Sequence, residues 1–199
     1  MYFWLLLSSF VANGAYSVCA PILPLELAKK GITGTWVGIT FAIYSIGSIC
    51  WAPFVGKHLI ERISGPNLLG LSLGIMGATF VCFGLIEDME SKESVLALSF
   101  ILRLLEGMAG TTQWTTALAM IARIAKEPGE KEYWLGINTS LFGLGLMAGP
   151  LISSALFAFM GYKMMFFAYG GTEMILAIII RLCLSDPTSL DNKPSKTVE

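Results

Sequence analysis

The residues best placed to do chemistry are Arg103 and Glu106, in the run SVLALSFILRLLEGMAGTTQWTTALAMIARI. Their i, i+3 spacing puts both on one face of a helix. Extending that face gives Ser99, Gly110 and Gln113, a polar stripe about four turns long. Ionisable groups deep in apolar sequence are costly and mark function by default. An arginine beside a carboxylate can handle protons or a charged solute in a water-filled cavity. The same pair can also be a buried salt bridge that only fixes helix packing. Both readings stand at the level of sequence. A weaker stripe, Ser9, Asn13, Tyr16 and Ser17, lies near the N-terminus, and of these Asn13 and Tyr16 are the better cavity candidates. Glu173 stands alone in FFAYGGTEMILAIII. It pairs with Arg103, titrates as a proton carrier, or faces a partner outside the run.

Other chemistries find little support. No nucleophile–base pair, metal cluster or phosphate-binding loop occurs at useful spacing, so an enzyme is not expected. The cysteines, Cys19, Cys50, Cys82 and Cys183, all fall inside apolar runs and read as packing residues. His58 is the single histidine and cannot build a metal site alone. A net charge of −1 gives no argument for a nucleic-acid partner. No cofactor is called for.

The elements that position these residues follow from the composition. Of 199 residues, 55% are hydrophobic and only 14% are charged, where soluble proteins carry about 25% charged. Mean hydropathy is +0.70. A bilayer is the solvent that suits such a chain, and its core takes about 20 apolar residues per helix. Six stretches meet that length, at roughly 2–25, 35–55, 67–86, 95–124, 134–159 and 164–184. They exceed the ~9–11 residues of a barrel strand and do not alternate. The fold class is therefore all-α and integral to the membrane, a six-helix bundle. The connectors AKKGITG, GKHLIERISGPN, EDMESKE, AKEPGEKEY and GYK are short, which suits antiparallel neighbours.

Basic residues give the orientation. Lys57, Arg62, Arg123, Lys126, Lys131, Arg181, Lys193 and Lys196 fall on one side, against Lys29, Lys30, Lys92 and Lys163 on the other. The first side is expected to be cytoplasmic, with both termini. Met1 leads straight into YFWLLLSSF with no basic region before it, so the first run reads as an uncleaved membrane helix. The stretch 185–199, SDPTSLDNKPSKTVE, reads as a polar, disordered cytoplasmic tail.

Taken in order, these motifs resemble the amino-terminal six-helix half of a major facilitator superfamily transporter. The resemblance covers nearly all of 1–184. The opening CAPILPLELAKKGITGTWVGITFAIYSIGSICWAPFVGK is similar to the family's vesicular amine and polyamine or drug–proton antiporter branches. The family's gating loop between spans two and three is matched in part by Gly56, Glu61, Arg62 and Gly65. Here the acid–base pair comes one residue late, and Pro66 and Asn67 replace the usual basic residues. RLLEGMAG carries the family's Arg-x-x-x-Gly signature through Arg103 and Gly107, and Glu106 stands where glutamine is common. The antiporter pattern of the fifth span is met by Gly136, Gly145, Gly149 and Pro150, while Ser153 and Ser154 replace its last glycines.

The resemblance implies transport of a small organic solute, cationic or drug-like, coupled to protons. Arg103 and Glu106 would form the proton-sensitive pair, with Asn13, Tyr16 and Gln113 on the substrate wall. Full members have twelve spans around a midplane site. This chain would then act as a half or truncated transporter, with a second half from another copy or another chain. The alternative is a non-transporting structural or assembly subunit derived from such a half. Gly145, Gly149 and Ser153 recur every four residues, forming a small-residue strip that a neighbouring helix can approach closely. In the family this helix packs on the opposite half, so the strip is expected to await a partner outside the 199 residues, the alternative being a neighbour in the same bundle. Whether the membrane is the plasma membrane or a vesicle is open.

Overall fold

The computed structural model describes residues 1–184. The tail expected over 185–199 lies outside the described residues. The described chain forms α1 (Tyr2–Lys29), α2 (Thr35–Phe54), α3 (Gly65–Leu85), α4 (Lys92–Ile124) and α5 (Glu130–Cys183). Each is long and apolar enough to cross a bilayer. No strand occurs among the described residues. In hydrocarbon only a helix or a closed barrel satisfies its own backbone, which is why the apolar runs take this form.

Six separate spans are expected, but five helical runs are found. The stretches 134–159 and 164–184 both fall within α5, whose helical geometry fails only at Gly161 (φ 78°, ψ −179°). A straight helix would set Gly145 and Tyr169 about 36 Å apart. Instead both meet the same turn of α1. Gly145 lies against the Phe10 carbonyl, and the Tyr169 hydroxyl donates to the Val11 carbonyl at 2.9 Å. Helix α5 is thus two arms, 130–160 and 162–183, folded back at one residue. The left-handed φ at Gly161 is what glycine permits at no steric cost. The expected connector GYK shrinks to its first residue.

The remaining connectors hold the two ends of the bundle. Ser91 caps α4, its hydroxyl accepting from the Ser94 amide at 3.4 Å. The Glu130 carboxylate accepts from the Lys126 and Glu127 amides, at 3.1 and 3.3 Å, and from the Tyr2 hydroxyl at 3.0 Å. That ties the start of α1 to the start of α5. At the opposite end Lys30 donates to the carbonyls of Glu87 and Met89, and Lys163 pairs with Asp88.

The expected gating loop is a correction of a second kind. Pro53 removes an amide from α2, and the chain then widens into a π turn, Val55–Leu59, and a single α turn, Ile60–Arg62. Only Ile63 and Ser64 leave helical geometry. Gly56, Glu61 and Arg62 are therefore exposed positions on a helical extension, and Gly65 starts α3 buried against the Met120 side chain. Among the described residues neither Glu61 nor Arg62 has an ion-pair partner.

In lipid, apolar burial gives little net drive, so close packing holds helices together. Gly77 on α3 lies against the Gly170 carbonyl, and Gly107 on α4 against the Tyr44 carbonyl. Between α3 and the second arm of α5, Phe80 sits 5.5 Å from Phe166 and 5.3 Å from Tyr169, centroid to centroid. The strip Gly145, Gly149 and Ser153 does not face outward as expected. It is buried within the chain: a side chain at Gly145 would strike Phe10 and Gly14 of α1, and one at Gly149 would strike Gly14 and Ser17. The Ser17 hydroxyl donates across this contact to the Gly145 carbonyl at 3.3 Å. The exposed face of the arm carries Gly136, Leu144, Met147 and Leu151 instead, and α2 is exposed along most of its length.

A candidate solute cavity beside a buried charge cluster

Arg103 and Glu106 project from α4 into the bundle and are fully buried. The guanidinium Nη1 lies 3.0 Å from the Glu106 Oε2, one helical turn away. Phe41 and Phe83 bring their rings to 4.6 and 5.4 Å from the guanidinium carbon, so two π faces add to the carboxylate. Arg103 Nε and Nη2 and Glu106 Oε1 have no hydrogen-bond partner among the described residues. The pair is thus held by one charged hydrogen bond between two aromatic faces. Glu173, on the second arm of α5, is also fully buried, and both its carboxylate oxygens lack a partner. It does not pair with Arg103. Glu106 lies within electrostatic range of Glu173, and Cys19 of α1 and Tyr44 of α2 lie within range of the same group.

Next to this cluster lies a cavity of about 470 Å³. Asn13 and Tyr16 line it from α1, Tyr44 and Ser48 from α2, Thr111, Trp114 and Thr115 from α4, and Phe142 from the first arm of α5. Four aromatic rings face one another in two pairs: Tyr16 and Tyr44 at 4.6 Å, and Trp114 and Phe142 at 4.9 Å. The Ser48 and Thr111 hydroxyls bond each other across the wall between α2 and α4. Tyr44 belongs to both regions, lining the cavity while its hydroxyl feels the buried charges. Glycine makes room for it, since a side chain at Gly110 would come within 2.7 Å of the Tyr44 hydroxyl. At the rim, Ile49 is 72% exposed.

The structure therefore separates residues that the sequence places together. Asn13 and Tyr16 reach the cavity, and the Asn13 amide also donates to the Ser9 carbonyl at 2.6 Å. Gln113 does not reach it. Its amide donates instead to the Ser8 and Ser9 hydroxyls, at 3.1 and 3.3 Å, on a buried contact between α4 and α1. The physical reason is rotation: each residue turns the helix by about 100°, so Thr111, Trp114 and Thr115 face α2 and α5 while Gln113 faces α1. Gly136 meets nothing at close range and Pro150 is half-buried, so neither touches the cavity. Tyr44, Ser48, Thr111, Trp114, Thr115 and Phe142 escape sequence reasoning. The signal that finds them is the i, i+4 pair Tyr44 and Ser48 and the i, i+3, i+4 set Thr111, Trp114 and Thr115, each on one helical face.

A family model described as Major Facilitator Superfamily matches residues 5–199. The chain belongs to the major facilitator superfamily. Curated relatives agree with this membership. The rat (Rattus norvegicus) MFS-type transporter SLC18B1 is 25% identical over 169 residues, covering 85% of this chain and 36% of that protein. The mouse (Mus musculus) vesicular acetylcholine transporter is 28% identical over 182 residues, covering 92% of this chain and 32% of that protein. The multidrug resistance protein MdtG of Escherichia fergusonii is 28% identical over 186 residues, covering 90% of this chain and 43% of that protein. The chain thus spans less than half the length of the superfamily relatives it matches. Membership and the apolar helices make it an integral membrane protein of a transporter family rather than an enzyme family.

Proposed function

We propose that the chain contributes one six-span half, residues 1–184, to a secondary transporter of a small organic cation, with movement coupled to protons. The observation that carries this reading is the juxtaposition of an aromatic cavity and a buried ion pair. Tyr16, Tyr44, Trp114 and Phe142 offer π faces and the hydroxyls offer weak acceptors, which suits a cation that brings few hydrogen bonds of its own. Tyr44 joins that cavity to Arg103 and Glu106, so occupancy on one side changes the electrostatics on the other. Among the relatives, one is named for acetylcholine and another for multidrug resistance, both compatible with an aromatic, weakly polar cavity.

The cavity lies on helices whose outer faces are uncovered, α2 and the first arm of α5. A second six-helix half supplies the opposite wall in this reading. Both termini are cytoplasmic, following the basic side of the connectors. Glu106 is the residue on which coupling depends. In vesicles reconstituted with the chain and its second half, Glu106→Gln is expected to abolish uptake of an organic cation driven by a pH gradient. Uptake equal to that of the unmodified protein would overturn the role.

A further inference from the structure

Four charged side chains are buried among the described residues: Glu26, Arg103, Glu106 and Glu173. Three of them are accounted for. Glu26 pairs with Lys29 at 2.8 Å near the end of α1, and Arg103 pairs with Glu106 at 3.0 Å. Glu173 is the remainder, with neither carboxylate oxygen bonded to anything.

Its surroundings offer no unused positive charge. From α4 the charged group in its range is Glu106, a second acid, while Arg103 is engaged with Glu106. From α1 it faces Cys19, and from α2 it faces Tyr44. On its own helix the Tyr169 hydroxyl lies one turn away but is turned to the Val11 carbonyl. Helix α3, packed against this arm at Gly77 and Phe80, carries no carboxylate, cation or tyrosine along 65–85, and its one titratable group is the Cys82 thiol. Among the described residues no buried counter-charge is therefore left for Glu173. A carboxylate with neither counter-charge nor hydrogen bond is far costlier to bury than its neutral acid.

We infer that Glu173 is a proton-binding site, carrying its proton in this conformation while Glu106 holds Arg103. Binding forms one O–H bond on the Glu173 carboxylate, and release returns that proton to water and leaves the bonding pair on the oxygen. The released state puts a second buried carboxylate in range of Glu106 with no counter-charge of its own. The second arm of α5 packs against α1 and α3 here, so the change in charge acts inside the bundle contact. The link of this proton to solute movement rests on the transport reading above; the site itself rests on burial and charge count.

The experiment is infrared spectroscopy of the full chain in lipid at neutral pH. A carbonyl stretching band of a protonated carboxyl is expected, shifting in deuterium oxide and lost in Glu173→Gln. Because Gln matches the neutral acid in shape, that variant is expected to stay folded, as circular dichroism will report. Glu106→Asp keeps the charge beside Arg103 and is expected to leave the band in place. No such band in the unmodified protein, or a band that survives Glu173→Gln or moves in Glu106→Asp, overturns the proposal. The band is read without transport. Missing uptake with the band intact therefore counts against the transport reading alone, and a missing band counts against the proton site alone.

Discussion

At the residue scale the balance of charge inside the bundle decides most. Among the described residues Arg103 is the one counter-charge paired with Glu106, so its loss leaves that acid buried without a partner. Removing one member of a buried pair costs about 3–5 kcal/mol. Arg103→Met is accordingly expected to lower the thermal unfolding midpoint in detergent sharply. Adding Glu106→Gln to Arg103→Met is expected to recover much of that loss, since the uncompensated charge is then gone. An equal loss in single and double variants would show that the side chain matters for its volume and not its charge. The pair itself is legible in the sequence, because i, i+3 spacing in one helix needs no knowledge of the fold. The Glu173 environment is not legible, because it depends on which face of α5 meets α1, α3 and α4. Gln113 shows the same limit in a smaller way: its polarity is visible, its neighbour is not.

At the scale of elements, glycine sets where helices touch. The fourfold spacing of Gly145, Gly149 and Ser153 correctly marks a close approach, yet the neighbour is α1 of the same chain. Spacing reports that a face is smooth; it carries no information about the helix that fills it. A side chain at Gly149 meets the Ser17 hydroxyl and the Gly14 backbone, whereas one at Gly136 meets nothing within 4 Å. Gly149→Leu is therefore expected to destabilise by at least about 1–3 kcal/mol through overpacking. Gly136→Ala is expected to be neutral, with folded yield by size-exclusion chromatography as the measure. The reversal at Gly161 is a second test. Gly161→Ala is expected to cost about 1–3 kcal/mol, because a positive φ with ψ near 180° is a backbone region essentially reserved to glycine. Unfolding midpoints of the two proteins within error of each other would mean that this backbone geometry is not held. The sequence marks a connector here through GYK, but a one-residue reversal inside a 54-residue helical run is beyond what breaker residues alone convey.

At the scale of the molecule, the membrane class follows from composition, because no soluble core of this length could hide so much apolar surface. Family membership follows from the order of motifs along the chain and is shown by a match over residues 5–199. What the sequence leaves dark is the cavity, whose walls come from four helices at once. A half-buried marker of it on α4 is Thr115, next to Trp114 in the cavity wall. The direct test uses Thr115→Cys after Cys50, Cys82 and Cys183 are replaced by serine, in membranes that contain the full assembly. Reaction with a membrane-impermeant thiol reagent is expected, and a small organic cation is expected to slow it several-fold. A Thr115→Cys that stays unreactive, or that reacts at the same rate with and without the cation, would contradict a water-filled cavity that holds a cationic solute.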